Sequence, residues 1–303
     1  MNEPVLEYLH CLDSVGGHRM GYWQWGHSDA QAVVLCVHGL TRQGRDFDVL
    51  ARALLQAAQG RGHSLRLICP DLAGRGSSDR LGDPALYQPL TYLADLQALL
   101  AHLHAQVPMA TLDWVGTSLG GIIGMLAAAQ PQALPQPIRR LLLNDVGPQL
   151  SWAGLARIKG YVGQGGPFDS LQAGIAALRL TLAGFGPHTD EQWHALNAPM
   201  FKQAADGRWV FHYDPAIALP FASLSEASNQ QGGQFMQAVY EQITAKTLRL
   251  RGAHSELLSR ANALAMTGCG PRARLLELAG VGHAPTLITA EQVEPVLEFL
   301  LRP

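Results

Sequence analysis

Two kinds of hydrophobic pattern alternate along this chain. Short runs of consecutive apolar residues at 32–37, 65–70, 110–115, 139–144, 247–251 and 274–278 predict strands, and runs without polar interruption fit strands covered on both faces. Residues 18–25 alternate apolar with polar, as a half-exposed strand does. Between these runs the apolar positions recur at helical spacing, over 47–58, 87–104, 118–129, 235–245, 256–266 and 291–300. Strands that alternate with helices in this way predict βαβ units: an α/β fold with a mainly parallel sheet and helices on both faces.

The texture changes near Gly147. Residues 148–226 hold Trp152, Trp193 and Trp209, many prolines and glycines, and one clear helical pattern at 169–182. They contain no strand run except an aromatic segment at 208–213, which suits a small hairpin. The organisation that follows is one α/β core domain, 1–147 and 227–303, interrupted by an inserted helical cap, 148–226.

Composition narrows the function. Of 303 residues 48% are hydrophobic and 15% charged, as in a packed globular protein. The balance of 22 basic and 24 acidic residues leaves nothing to recruit nucleic acid or an anionic membrane surface, so the expected partner is a small molecule. Cys11, Cys36, Cys69 and Cys269 fall at no metal-ligand spacing and read as reduced core thiols. The N-terminus lacks a basic, then apolar, signal pattern, and the greasiest stretch, 120–129, is too short to span a bilayer. A soluble, cytoplasmic protein is expected.

The candidate chemistry lies in Gly116-Thr117-Ser118-Leu119-Gly120-Gly121, placed between a strand run and a helical run. A serine there sits on a very sharp turn. Its neighbours two residues away must be nearly free of side chain, and the N–H groups that open the helix point toward developing negative charge. Three further segments follow the same logic in order: Val34-Leu35-Cys36-Val37-His38-Gly39-Leu40, the turn Pro70-Asp71 to Asp79 with Gly74-Arg75-Gly76, and Gly280-Val281-Gly282-His283. Together these segments resemble the oxyanion strand, following turn, nucleophile elbow and histidine loop of the α/β-hydrolase superfamily. The similarity covers about residues 5–147 and 235–300.

The resemblance implies that Ser118 is the nucleophile, His283 its general base, and the N–H groups of Leu40 and Leu119 the oxyanion hole. The family's acid usually stands three residues beyond a glycine after the strand that follows the cap. In Gly252-Ala253-His254-Ser255-Glu256 that slot holds Ser255, and Glu256 is one residue later. Glu256 is therefore the first candidate. Asp145, at the end of the strand before the cap, is the alternative, since some family members carry the acid there.

A serine nucleophile favours acyl chemistry, so the expected reaction is hydrolysis of a carboxylic ester of a small to medium, partly apolar substrate, with thioesters and lactones as neighbours. The alternatives are a carbon–carbon bond hydrolase of ring-fission products, an acyltransferase, and a non-catalytic small-molecule receptor. His38 is expected to shape the oxyanion loop, and Asp71 and Asp79 to bond the backbone of their turn. His188, His194 and His212 match no zinc spacing, and Gly74-Arg75-Gly76 lacks the rest of a dinucleotide fingerprint. Neither a metal nor a cofactor is indicated.

Overall fold

The computed structural model describes residues 3–302; residues 1, 2 and 303, the two ends of the expected core domain, lie outside them. In chain order the strands are β1 (Val5–Cys11), β2 (His18–Gly26), β3 (Ala32–Val37), β4 (Arg66–Pro70), β5 (Thr111–Thr117) and β6 (Ile138–Asn144). A hairpin, β7 (Phe201–Gln203) and β8 (Trp209–Phe211), precedes β9 (Lys246–Gly252) and β10 (Arg274–Leu278). All but the hairpin form one sheet in the order β1-β2-β4-β3-β5-β6-β9-β10. Its first two pairings, β1 with β2 and β2 with β4, are antiparallel and the remaining five parallel. This is the α/β-hydrolase fold.

Period-two geometry explains the unbroken apolar runs. In β3, Val33, Leu35 and Val37 join the core on one face, while Val34 and Cys36 join the core on the other. The first face is covered by α2 (Pro89–Gln106) and α3 (Leu119–Ala128), the second by α1 (Asp48–Gln59) and the C-terminal helix Ala290–Leu301. Leu96, Leu99, Leu100 and Leu103 of α2 recur at helical spacing, and all are buried. Both faces of the central strands are thus dry, and side chains of these strands reach cavities only at the strand ends.

The segment between β6 and the helix at 226 contributes nothing to the main sheet. It folds as α4 (Trp152–Tyr161), α5 (Leu171–Thr181), α6 (Asp190–Asn197), the hairpin, and α7 (Ala218–Ala222). Local signals start these helices: the hydroxyls of Ser151, Ser170 and Thr189 accept N–H bonds from Gly154, Ala173 and Gln192. Beyond it run α8 (Glu226–Glu241), α9 (Arg260–Ala265) and α10 (Ala290–Leu301).

Three elements differ from the pattern-based reading. β1 was not expected; it is an edge strand, Val5–Cys11, in which only Cys11 is buried. α8 begins at Glu226, well before 235, because a Ser225/Ser228 capping box nucleates a polar first half. α9 is confined to 260–265, since Ser259 caps it and the residues before it are bent into the site. All four cysteines are free thiols; Cys11, Cys36 and Cys69 are buried and Cys269 is half-buried. Among the described residues no helix is long and apolar enough to cross a membrane.

Candidate active site

The sheet's C-terminal edge gathers the candidate residues. β5 ends at Thr117, and Ser118 follows with φ 51° and ψ −113°, a left-handed turn that redirects the chain into α3. The turn closes only because its neighbours are glycines. A Cβ on Gly116 would strike the carbonyl of Gly120, and one on Gly120 would strike the carbonyl of Val37. Trp114 Nε1 donates to Gly120 O (3.1 Å) and ties the first turn of α3 to its own strand.

The Oγ of Ser118 lies 3.0 Å from His283 Nε2, and His283 Nδ1 lies 2.7 Å from Asp145 Oδ2. Asp145 follows the last residue of β6 and is fully buried. Its carboxylate also accepts the Gly252 N–H at Oδ1 (3.0 Å) and the Ser255 hydroxyl at Oδ2 (2.6 Å). A buried carboxylate with three donors around it is held in one orientation. It accepts the Nδ1–H hydrogen bond and leaves the Nε2 lone pair facing the serine.

The pairing of His283 with Glu256 is not made. The Glu256 side chain is 62% exposed and its carboxylate meets Arg157 Nε at 3.3 Å on the surface. The reason lies in the loop after β9. The Arg251 guanidinium donates to the carbonyls of Leu258 (2.9 Å) and Ala253 (3.3 Å), curling the chain so that Ser255 faces Asp145 and its neighbour faces solvent. Ser255, in the slot where the resemblance puts an acid, therefore serves the acid of another strand.

Asn144 links the three loops. Its Nδ2 donates to Thr117 Oγ1 (3.0 Å), beside the serine, and to Pro285 O (2.8 Å), two residues beyond the histidine. The backbone N–H of Ser118 donates to Asn144 O (3.0 Å) and that of Asp145 to Leu250 O (2.9 Å). Neither Asn144 nor this use of Ser255 was anticipated; the only signal was that Asn144 precedes a candidate acid.

Opposite the serine, the loop Gly39-Leu40-Thr41 is held by buried groups. His38 Nδ1 donates to Gly39 O (2.7 Å) while its Nε2 accepts the Leu72 N–H (3.0 Å), so one neutral tautomer satisfies both bonds. Burial pushes His38 down to about 3, so it stays uncharged throughout the working pH range. Arg75 Nε donates to Leu40 O (2.8 Å). With these carbonyls engaged on the core side, the N–H groups of Leu40 and Leu119 are left without intrachain partners among the described residues. Asp71 fixes the turn behind the loop, accepting from Gly44 N (2.7 Å) and Ser77 N (2.8 Å); burial raises it to about 6. Asp79 accepts from Arg19 N (3.0 Å) at the surface.

A cavity of about 60 Å³ surrounds Ser118 and His283, walled by the loop at 39–42 and by Ile158, Tyr161, Leu182 and Phe185 of the inserted segment. Arg42 joins the two sides. Its guanidinium binds Asp46 through both carboxylate oxygens (2.7 Å each) and reaches Leu196 O and Asn197 Oδ1 (2.9 Å each). Gln43 donates to Pro199 O alongside it. Away from this cavity, His188 bonds Gly186 O (2.9 Å) and Thr286 Oγ1 (2.8 Å), His194 lies exposed on α6, and His212 O accepts the Gly76 N–H (2.9 Å).

A serine on a strand-to-helix turn, an imidazole on it and a buried carboxylate behind define a class, and the comparisons agree with it. The model of the alpha/beta hydrolase family matches residues 34–298, and the chain belongs to that family. It is an enzyme of the hydrolase class. A protein of Cupriavidus necator named 3-hydroxybutyrate-oligomer hydrolase is 40% identical over 98% of this chain and 97% of its own. An alpha/beta hydrolase of Novosphingobium aromaticivorans is 35% identical, with a TM-score of 0.81 over 99% of both chains. E-2-(acetamidomethylene)succinate hydrolase, at 19% identity and a TM-score of 0.75 over 98% of this chain and 99% of its own, shares the fold.

Proposed function

We propose that the chain hydrolyses carboxylic esters by a serine mechanism in which Ser118, His283 and Asp145 form the triad. The observation that carries the reading is the continuous hydrogen-bonded line from Ser118 Oγ through both ring nitrogens of His283 to the buried Asp145 carboxylate. A serine hydroxyl is a weak nucleophile until a base removes its proton. As Oγ attacks the ester carbonyl carbon, its proton passes to Nε2 and the carbonyl electron pair moves onto oxygen, between the N–H groups of Leu40 and Leu119. Collapse of this tetrahedral species breaks the bond to the alkoxy oxygen, which takes the proton from Nε2. Water then attacks the acyl-serine with the same base, and Ser118 regains its proton as the acid departs. Asp145 remains ionised and stabilises the imidazolium in both halves. The inserted segment acts as a cap that excludes bulk water from the cavity.

The substrate class is an ester of a short hydroxy acid. The 40% identical relative, named for 3-hydroxybutyrate oligomers, supports this, as does the partly apolar wall above the serine. The test is turnover of p-nitrophenyl acetate and butyrate, with fluorophosphonate labelling in parallel. Wild type should turn over and label, and Ser118→Ala should do neither, with kcat down at least ~10⁴-fold. Undiminished turnover in Ser118→Ala would refute the mechanism.

A further inference from the structure

The cavity around Ser118 is too small for the substrate proposed. At about 60 Å³ it has room for roughly two water-sized groups, little more than the scissile ester itself. A second cavity of about 310 Å³ adjoins it under the inserted segment, and Thr41, Arg42, Tyr161 and Leu182 are walls of both. By the same measure it holds roughly ten non-hydrogen groups, one to two hydroxybutyrate repeats of six.

We propose that this second chamber is a binding subsite for an uncharged ester repeat, so that the enzyme acts on oligoesters and reads the repeat next to the scissile bond, not a charged chain end. The proposal rests on the ester-hydrolase reading and extends it to substrate length. Two properties of the chamber support it.

The first is charge. Its one guanidinium, Arg42, is matched by the bidentate Asp46 carboxylate, and two further donors are spent on Leu196 O and Asn197 Oδ1. Almost nothing remains to neutralise a substrate carboxylate, whose desolvation would therefore cost more than it gains. The second is the distribution of donors. Esters accept hydrogen bonds and offer none, so a complementary wall must donate. Tyr213 accepts the Gly163 N–H (3.2 Å) on its oxygen and keeps its own proton to give. The Tyr161 hydroxyl, at the junction of the two cavities, makes no hydrogen bond among the described residues, and burial raises its pKa, so it stays protonated. Phe168 and Phe211, packed edge-to-face at 5.7 Å, supply the apolar surface that the repeat's methyl group needs.

The experiment measures kcat/KM for methyl 3-hydroxybutyrate, linear dimer, trimer and tetramer, and the methyl-capped trimer, alongside p-nitrophenyl butyrate. Specificity should rise at least ~10-fold from the monomer ester to the trimer, and capping the carboxylate should change it less than ~3-fold. A flat length profile, or a loss of ~10-fold or more on capping, would overturn the subsite. Ala177→Phe, which grows into the chamber from α5, should lower the ratio of trimer to p-nitrophenyl butyrate specificity ~10-fold or more, and Tyr161→Phe should lower it less. An unchanged ratio in both variants contradicts the assignment. Failure on every ester, p-nitrophenyl butyrate included, would instead reject the ester-hydrolase reading.

Discussion

The sheet edge and the inserted segment above it are built on different principles. At the sheet edge each reacting group is placed by the end of a strand or the loop beyond one, and its backbone is bonded to its neighbours: Ser118 N to Asn144 O, Asp145 N to Leu250 O, Gly252 N to Asp145 Oδ1. In the inserted segment burial is uneven. α5 has one buried residue, Gly174, while Ile158, Val162, Tyr213 and Ile217 pack into the core beside polar ties such as Arg42 to Leu196 and Asn197 and Gly76 N to His212 O. On the proposed function, chemistry is carried by a rigid frame, and the substrate's shape is read by a surface that can vary without disturbing it.

The largest effects should come from the frame. Asp145→Asn keeps the shape but turns an acceptor into a donor toward His283, and kcat on p-nitrophenyl butyrate should fall ~10⁴-fold, whereas Glu256→Gln should change it less than ~2-fold. Equal losses would erase the distinction between the buried and the surface carboxylate. The tie between the two regions comes next. Arg42→Ala strands the partly buried Asp46 carboxylate and removes the link to α6, which should cost ~2–3 kcal/mol in urea unfolding. A loss below ~1 kcal/mol would mean that the inserted segment is seated by other contacts.

Smaller effects probe the support of each group. Ser255→Ala removes one donor to Asp145, and kcat should fall ~10-fold with KM little changed. A change in KM alone would place Ser255 in substrate binding. Far from the site, His18 lies between Asp13 (3.2 Å) and Asp95 (3.1 Å), beside the Cys11 thiol. Burial draws its pKa down, but the hydrogen bonds and charges of the two aspartates outweigh it and raise it. A folded-state pKa above the unfolded one gives stability that is whole below about pH 6.5 and lost as pH climbs through the folded value. Tm should therefore decline over that climb in wild type and less in His18→Gln; parallel curves would show that His18 is neutral throughout.

Much of the frame could be read from residue order, because strand-end chemistry leaves local marks. Gly116 and Gly120 flank Ser118 for a steric reason that any sequence with this turn must obey, and His283 sits in a glycine-rich loop after the last strand run. The acid left a weaker mark. In one dimension Glu256 stands ahead of Asp145, being next to the usual slot, and what reverses the order is the curl that Arg251 imposes on 252–258, a contact with carbonyls that no spacing encodes. The expected helix from 256 failed for the same cause. β1 escaped notice because its apolar residues, Val5, Leu6, Tyr8, Leu9 and Cys11, neither alternate strictly nor form an unbroken run, and the first half of α8 because its start is set by Ser225 and Ser228, not by hydrophobic period.

The proposed triad has the proton on His283 Nδ1 held by a carboxylate from the end of β6. Its most direct test is the imidazole N–H spectrum of ¹⁵N-histidine-labelled protein, in wild type, Asp145→Asn and Glu256→Gln. A strongly downfield Nδ1–H resonance should persist in Glu256→Gln and vanish in Asp145→Asn. A resonance that survives Asp145→Asn and disappears in Glu256→Gln would contradict the triad.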